Sequence, residues 1–188
     1  MARPLSEEKR MALLAAATSV IAEQGLSAST AGMAKLAGVA EGTLFTYFAN
    51  KDALLADVYV HLKSDLAAAM MAAYPVQAAV RVRARHVWNG YLDWSVRHPE
   101  RHAAMAQLGV SKRLDTAARL RALQGYDVVG ALLGECAGPA LAHGAEFAGA
   151  TMGALADMTI GFMLADPAGA QDYATDGFNA FWRAVGGN

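Results

Sequence analysis

The 188-residue sequence has one cysteine, five prolines, few aromatic residues (8%) and almost no net charge, formally −1. A single cysteine, Cys136, excludes an intramolecular disulfide framework and a cysteine-based zinc site, and it reads as a small buried apolar residue. The longest stretch without Lys, Arg, Asp or Glu, residues 66–80, is broken by Pro75. At about 15 residues it is shorter than the roughly 18 that suggest a membrane span, so no membrane partner is expected. Glu7, Glu8, Lys9 and Arg10 crowd the first ten residues, where a secretory signal would need an apolar run. A cytoplasmic location is therefore expected.

Enzymatic signatures are also missing. GxSxG, HExxH, GxxxxGK[ST] and GxGxxG do not occur, so no catalytic residues and no cofactor are expected. His98 and His102 have the spacing of a metal pair, but Pro99 places His98 at a helix cap and off the shared face, so no metal site is expected. Arg81, Arg83 and Arg85 suit an anion or, as an ordinary alternative, a solvated helix surface. The basic excess usual in a nucleic-acid binder is absent as well.

What the chain does have is helix. Hydrophobic residues make up 55% of it, and 43 of the 188 residues are alanine, the best helix former. Alternating β-branched runs are lacking, whereas apolar positions such as Met11, Leu14, Ala15, Thr18, Ile21 and Ala22 follow helical spacing. Caps and breakers predict nine helices, over residues 7–24, 30–37, 40–48, 51–74, 77–97, 99–108, 114–137, 145–164 and 170–185. Ser6, Ser29 and Asn50 stand at starts. Gly25, Gly38, Pro75, Gly138-Pro139, Asp166-Pro167 and Gly186-Gly187 stand at ends. The expected fold is all-α.

Residues 25–51 are the most informative. Two short helices flank Gly38-Val39, which is a helix-turn-helix arrangement with glycine in the tight turn. Ala34, Ala37 and Val39 are small, and Leu44 and Phe48 share a face that can enter a core with Ile21, Leu26 and Met33. The opposite face shows Glu41, Gly42, Thr43, Thr46 and Tyr47. In a helix-turn-helix the second helix enters the major groove. Thr43 offers a hydroxyl and a methyl to base edges, and Gly42 permits close approach. Thr46 and Tyr47 can reach phosphates. Thr30 and Lys51 place a hydroxyl, a charge and helix N-terminal amides where phosphates bind.

These residues resemble the TetR-type family of transcriptional regulators. The resemblance rests on Leu26, Ser29-Thr30, Met33-Ala34, Ala37-Gly38-Val39, Gly42-Thr43-Leu44, Tyr47-Phe48 and Asn50-Lys51 followed by Leu54, about a quarter of the chain. It implies an N-terminal three-helix DNA-binding domain over residues 1–51. It further implies a larger helical ligand-binding and dimerisation domain over 52–188, and a homodimer. The DNA-contacting set it implies is Ser29, Thr30, Lys35, Glu41, Gly42, Thr43, Phe45, Thr46, Tyr47 and Lys51. Three positions depart from the family pattern. Ala40 stands where a capping serine is common, at a cost of about 1 kcal/mol. Glu41 replaces a basic or amide residue; its carboxylate repels phosphates but can accept from a cytosine amino group. Phe45 replaces a frequent tyrosine.

Beyond residue 60 the resemblance fades. Trp88, Tyr91 and Trp94 recur every three residues and predict an aromatic stripe, which Met70, Met105, Tyr126, Met158 and Phe162 can extend into a pocket for a small apolar or aromatic effector. A plain hydrophobic core fits the same residues. Asn89, Asp93, His102 and Gln107 are the polar candidates for orienting a ligand. The resemblance implies that the last two helices pair with their copies through Phe147, Thr151, Ala154, Leu155, Phe178, Phe181 and Trp182. Two other readings remain at this level: an all-α small-molecule-binding protein whose hairpin is incidental, and a DNA-binding dimer without an effector.

The neutral total hides a partition. Residues 1–51 carry net +1, residues 52–126 net +4 and residues 127–188 net −6. The acidic part is the proposed dimer end. A weakly basic reading head predicts few phosphate contacts and a shallow dependence of DNA affinity on salt, measured as the slope of log K against log salt concentration.

Overall fold

Local rules account for the helix ends of the N-terminal segment in the structure, a computed structural model that describes residues 6–137, 141 and 143–186. In α1 (Glu7–Gln24) the Ser6 hydroxyl accepts from the Lys9 N–H at 3.4 Å, and Glu7 and Glu8 occupy the positive first turn. The helix stops at Gly25, whose φ of +77° suits a residue without a Cβ. Ser29 caps α2 (Thr30–Leu36), its Oγ accepting from the Gly32 N–H at 3.1 Å. Gly38, at φ +70°, turns the chain into α3 (Glu41–Tyr47), which lacks a side-chain cap because Ala40 has no acceptor. Asn50 Oδ1 accepts from the Ala53 N–H at 2.8 Å and opens α4 (Lys51–Met71). The remaining helices are α5 (Val80–Arg97), α6 (Pro99–Gly109), α7 (Thr116–Ala122), α8 (Asp127–Cys136), α9 (Gly144–Ala165) and α10 (Ala170–Ala184). Pro99 lies in the first turn of α6, after the capping position of His98.

The fold is all-helical, with ten helices and no strand among the described residues. The count differs from the nine expected because the span 114–137 divides into α7 and α8. Gly125 adopts φ +87° in the four-residue break between them. α4 ends sooner than its apolar pattern predicts, just before Ala73 at φ +53°. Residues 75–79 form a turn, in which the Ala78 N–H donates to the Pro75 carbonyl at 2.9 Å. The break expected at Gly138-Pro139 and the Gly187 end fall outside the described residues.

The helices form two compact units. One comprises residues up to Ser64 together with His98–Leu123; the other comprises Asp65–Arg97 together with the chain from Gln124 onward. α4 contributes residues to both. In the first unit α1 packs on α2 and α6, and α2 on α3, around Leu13, Leu14, Ile21, Met33, Leu44 and Leu54. Because α1 meets neighbours on two sides, it buries Leu13, Ala16, Ala17 and Val20, while Met11 and Ala15 of the expected stripe are exposed.

In the second unit α9 packs against α5, α8 and α10. Its centre is Trp88, fully buried, stacked on Phe181 at 6.2 Å between centroids and edge-on to Phe178 at 6.2 Å. The Trp88 indole N–H is satisfied by the Ala174 carbonyl at 3.0 Å. α9 is also long and apolar enough, by length and composition, to cross a membrane. Glu146 and Asp157 interrupt it, so it contains no charge-free run of that length. A methyl group added at Gly177 would lie 2.3 Å from Thr159 Oγ1 and 2.8 Å from Trp88 Cζ2. Alanine is about 1 kcal/mol better than glycine in a helix, yet Gly177→Ala is expected to destabilise the protein by roughly 1–3 kcal/mol in urea unfolding.

Candidate nucleic-acid interface

α3 is held by one face. Leu44 is fully buried and Phe48 nearly so, and Met33 and Ala34 of α2 meet them in the same core. The turn is closed by the Gly38 N–H on the Lys35 carbonyl (3.1 Å) and the Val39 N–H on the Ala34 carbonyl (3.0 Å). With Leu44 inward, Glu41, Gly42, Phe45 and Thr46 are exposed, and Thr43 and Tyr47 are half-buried at the edge of the same face. A Cβ on Gly42 would meet no atom within 4 Å, so this flank is open.

Several polar groups on this face have fixed directions. The Thr46 hydroxyl donates to the Thr43 carbonyl at 2.6 Å, which leaves its lone pairs outward. The Tyr47 hydroxyl accepts from the Ser6 N–H at 3.2 Å and keeps its own proton for another acceptor. Thr30 Oγ1 donates to Glu41 Oε1 at 2.6 Å, linking α2 to α3 across the turn. Ser29 uses its oxygen as the cap of α2, and Lys35 is exposed near the end of that helix.

Lys51 departs from expectation. Its ammonium donates to the Leu26 carbonyl at 2.8 Å and the Ala28 carbonyl at 2.6 Å, so it is turned into the α1–α2 loop instead of outward to a phosphate. Burial, and then the nearby positive charge of Arg113, push its pKa below the usual lysine value. Arg113 itself pairs with Asp52 at 2.9 Å. Asp57 accepts from Arg10 at 2.8 Å and Arg121 at 3.1 Å, tying α1, α4 and α7 together. None of this bridge was evident from spacing, because its members are 47 and 64 residues apart in sequence.

The residues expected to line an effector pocket do not form one stripe. Trp88 turns to α10, the Tyr91 hydroxyl donates to Asp157 of α9 at 2.8 Å, and the Trp94 indole donates to Asp65 of α4 at 3.0 Å. Met70 is buried in the second unit and Met105 in the first. Tyr126 is half-buried at the cap of α8. Met158 and Phe162 are 51% and 50% exposed, on the outer face of α9, and so do not line an interior. One groove of about 340 Å³ lies between the end of α4 and α5, lined by Ala69, Ala72, His86, Asn89, Gly90, Asp93 and Arg97. It includes Asn89 and Asp93 from the polar candidates and none of the eight pocket residues.

The expected interface residues also divide. Phe178 and Phe181 are core, packed on Trp88, and present no surface to a second copy. Trp182 is half-buried, stacked on Phe178 and covered by the Arg81 guanidinium at 5.8 Å. Leu155 and Thr151 are half-buried, and Ala154 and Phe147 are exposed. The signal separating these groups is the spacing 147, 151, 154, 158, 162, which places five positions on one helical face. The α5 arginines are structural: Arg85 lies 4.1 Å above the Phe178 ring, and Arg83 forks onto Glu135 at 3.0 and 2.5 Å. That fork raises the Arg83 pKa and lowers that of Glu135.

Residues 13–58 match the family model described as bacterial regulatory proteins, tetR family. Among solved structures, the chain is similar to a protein of Shewanella sp. PV-4 assigned to the tetR family of transcription regulators. That match has 24% identity and a TM-score of 0.84, and covers 94% of this chain and 97% of that one. A TetR family transcription regulator of Marinobacter aquaeolei VT8 matches at 19% identity and TM-score 0.78, covering 95% and 96%. The transcriptional regulator FadR of Bacillus subtilis, in complex with stearoyl-CoA, matches at 19% identity and TM-score 0.73, covering 95% and 99%. At these identities the likeness establishes the fold.

Lys51→Ala is expected to lower stability by about 1–2 kcal/mol in urea unfolding, because it removes a charged donor from two carbonyls. A lysine acting only on phosphate would leave stability unchanged and reduce the salt slope of DNA binding by about 1.

Proposed function

We propose, from the match of residues 13–58 to the tetR-family model, that the chain is a ligand-responsive transcriptional repressor. In this reading it binds a palindromic operator in double-stranded DNA as a homodimer, acts in the cytoplasm, has no enzymatic activity, and is released by a small apolar or aromatic effector. The observation that carries the reading is the outer face of α3, anchored by buried Leu44 and open at Gly42. In this reading Gly42 and Thr43 meet base edges, with Thr46, Tyr47, Lys35, Phe45 and Ser29 at the backbone of the duplex.

The homodimer is supported by the outer face of α9. Phe147, Ala154, Met158 and Phe162 leave an apolar stripe on a helix whose most apolar window is only 33% buried. A second copy crossing this face would cover it and form a four-helix interface, with Trp182 and Leu155 at its margin. The division of labour proposed is residues 1–51 for DNA and 52–188 for effector and dimer. The two recognition helices would then meet successive major grooves, about 34–36 Å apart. An effector releases DNA only by binding a state of different separation more tightly. α4, which holds Lys51 at one end and Met70 at the other, is the element proposed to carry that change. The stearoyl-CoA held by the Bacillus subtilis neighbour makes acyl-CoAs the first effector class to try.

Gel-shift and footprinting on DNA flanking the gene test the reading. Protection of an inverted repeat is expected, and protection of none would leave an all-α ligand-binding protein. Thr43→Ala and Tyr47→Ala are each expected to abolish operator binding with the dimer intact. Met158→Glu combined with Phe162→Glu is expected to give a folded monomer by sedimentation and to lose operator binding with it. A thermal shift with acyl-CoAs or other apolar compounds is expected. Its absence across a broad panel would favour a DNA-binding dimer without an effector.

A further inference from the structure

We propose that Glu41 sets the base preference of α3 by accepting a hydrogen bond from a cytosine amino group in the major groove, and that Thr30 is its positioning residue. The inference rests on the DNA-binding reading above. It starts from one contact: the Thr30 hydroxyl donates to Glu41 Oε1 at 2.6 Å, across the turn between α2 and α3. Glu41 is exposed, on the first turn of α3. A free glutamate on a surface samples many rotamers. One held by a hydroxyl from the neighbouring helix presents its remaining acceptor positions in a fixed direction, which lowers the entropy lost on binding.

The chemistry then selects the base. A carboxylate is an acceptor only. Guanine offers O6 and N7 on its major-groove edge, and thymine offers O4, so both repel it. Amino donors are found on cytosine N4 and adenine N6. On adenine the amino group lies beside the N7 acceptor, which faces the second carboxylate oxygen. On cytosine the neighbour is C5–H, which does not. Cytosine is therefore the base that satisfies Glu41 without a repulsive partner. At a site lacking this cytosine the carboxylate is left unpaired or facing acceptors after desolvation, so binding there is penalised as well as unrewarded. Gly42 assists by leaving that flank without a side chain: a Cβ there would meet nothing within 4 Å. In this role Thr30 acts through Glu41 and is released from the direct phosphate contact that its position suggests.

The test is selection of binding sites from a randomised duplex library by the full-length protein and its Glu41→Ala, Glu41→Gln, Thr30→Val and Thr30→Ser variants. Sedimentation and thermal melts confirm that each stays folded and in the wild-type oligomeric state. The wild type is expected to select a motif with a fixed cytosine in each half-site. Glu41→Ala is expected to keep the rest of the motif and accept any base at that position, with discrimination reduced roughly 5- to 100-fold. Glu41→Gln is expected to shift the choice to adenine, whose N6 and N7 a glutamine can bond together. Thr30→Val is expected to weaken the cytosine preference, and Thr30→Ser to retain it. A motif unchanged in both Glu41 variants overturns the assignment of Glu41. Equal motifs in Thr30→Val and Thr30→Ser overturn the positioning role. A folded wild type that selects no motif at all overturns the DNA-binding reading itself, and the inference with it.

Discussion

A helix of seven residues does not hold itself in water. α2 and α3 are both of that length, so the face that α3 presents exists only because other parts of the first unit hold it. Leu44 supplies the anchor, fully buried beneath α3, with Met33 fully buried beneath α2. Around that anchor the polar contacts act as guy lines. Lys51 draws the loop before α2 onto the start of α4, Thr30 draws α2 onto α3, and Ser6 meets Tyr47 at the other end of α3. These contacts set directions as much as they add stability: a neutral hydrogen bond contributes about 0.5–1.5 kcal/mol net, and only the charged Lys51 contact reaches beyond that. Their effect is preorganisation: the side chains so held, Thr30, Glu41 and Tyr47, have less freedom left to lose on binding.

The larger part of the chain is built on a different constraint, the close approach of helices. A Cβ on Gly90 would lie 2.9 Å from the Met70 Cα, and one on Gly177 would overlap Thr159. Small residues admit Trp88 between α5 and α10, and Trp88 in turn gives Phe178 and Phe181 something to pack on. The arginines of α5 fit the same economy of space, lying over Phe178 and Trp182 or forking onto Glu135. The result is a packed interior, with Phe147, Met158 and Phe162 left on the outside of α9.

The helix-turn-helix was legible because its signals are local. A capping serine, a glycine at φ +70° and an apolar pair four apart each act over a few residues, and Ser29, Gly38 and the Leu44–Phe48 pair do as their types dictate. The single helix expected over 114–137 failed because one glycine inside an apolar pattern is usually tolerated, and nothing local marks Gly125 as a break. Side-chain roles were least legible. Lys51 reads as a phosphate contact by position, but which acceptors an ammonium meets depends on where a loop 23–25 residues earlier passes. Likewise Phe178 and Met158 are equally apolar letters. Only the rotation of α9 and α10 against Trp88 decides which lies inside, and that rotation is a property of the packed unit.

All three tryptophans of the chain, Trp88, Trp94 and Trp182, fall in the second unit. The first unit, which carries α3, has tyrosines such as Tyr47 and Tyr59 but no indole. The protein is thus labelled by nature in one unit only. Trp88 is fully buried with its N–H on the Ala174 carbonyl, and Trp94 donates to the Asp65 carboxylate, so both chromophores are sensitive to small shifts of α10 and α4. Indole emission of the unmodified chain reports on the second unit while the first stays dark in that channel. With a duplex bound at α3, as proposed, a spectral change on adding it would be an optical record of a change reaching the second unit, obtained without attaching a dye.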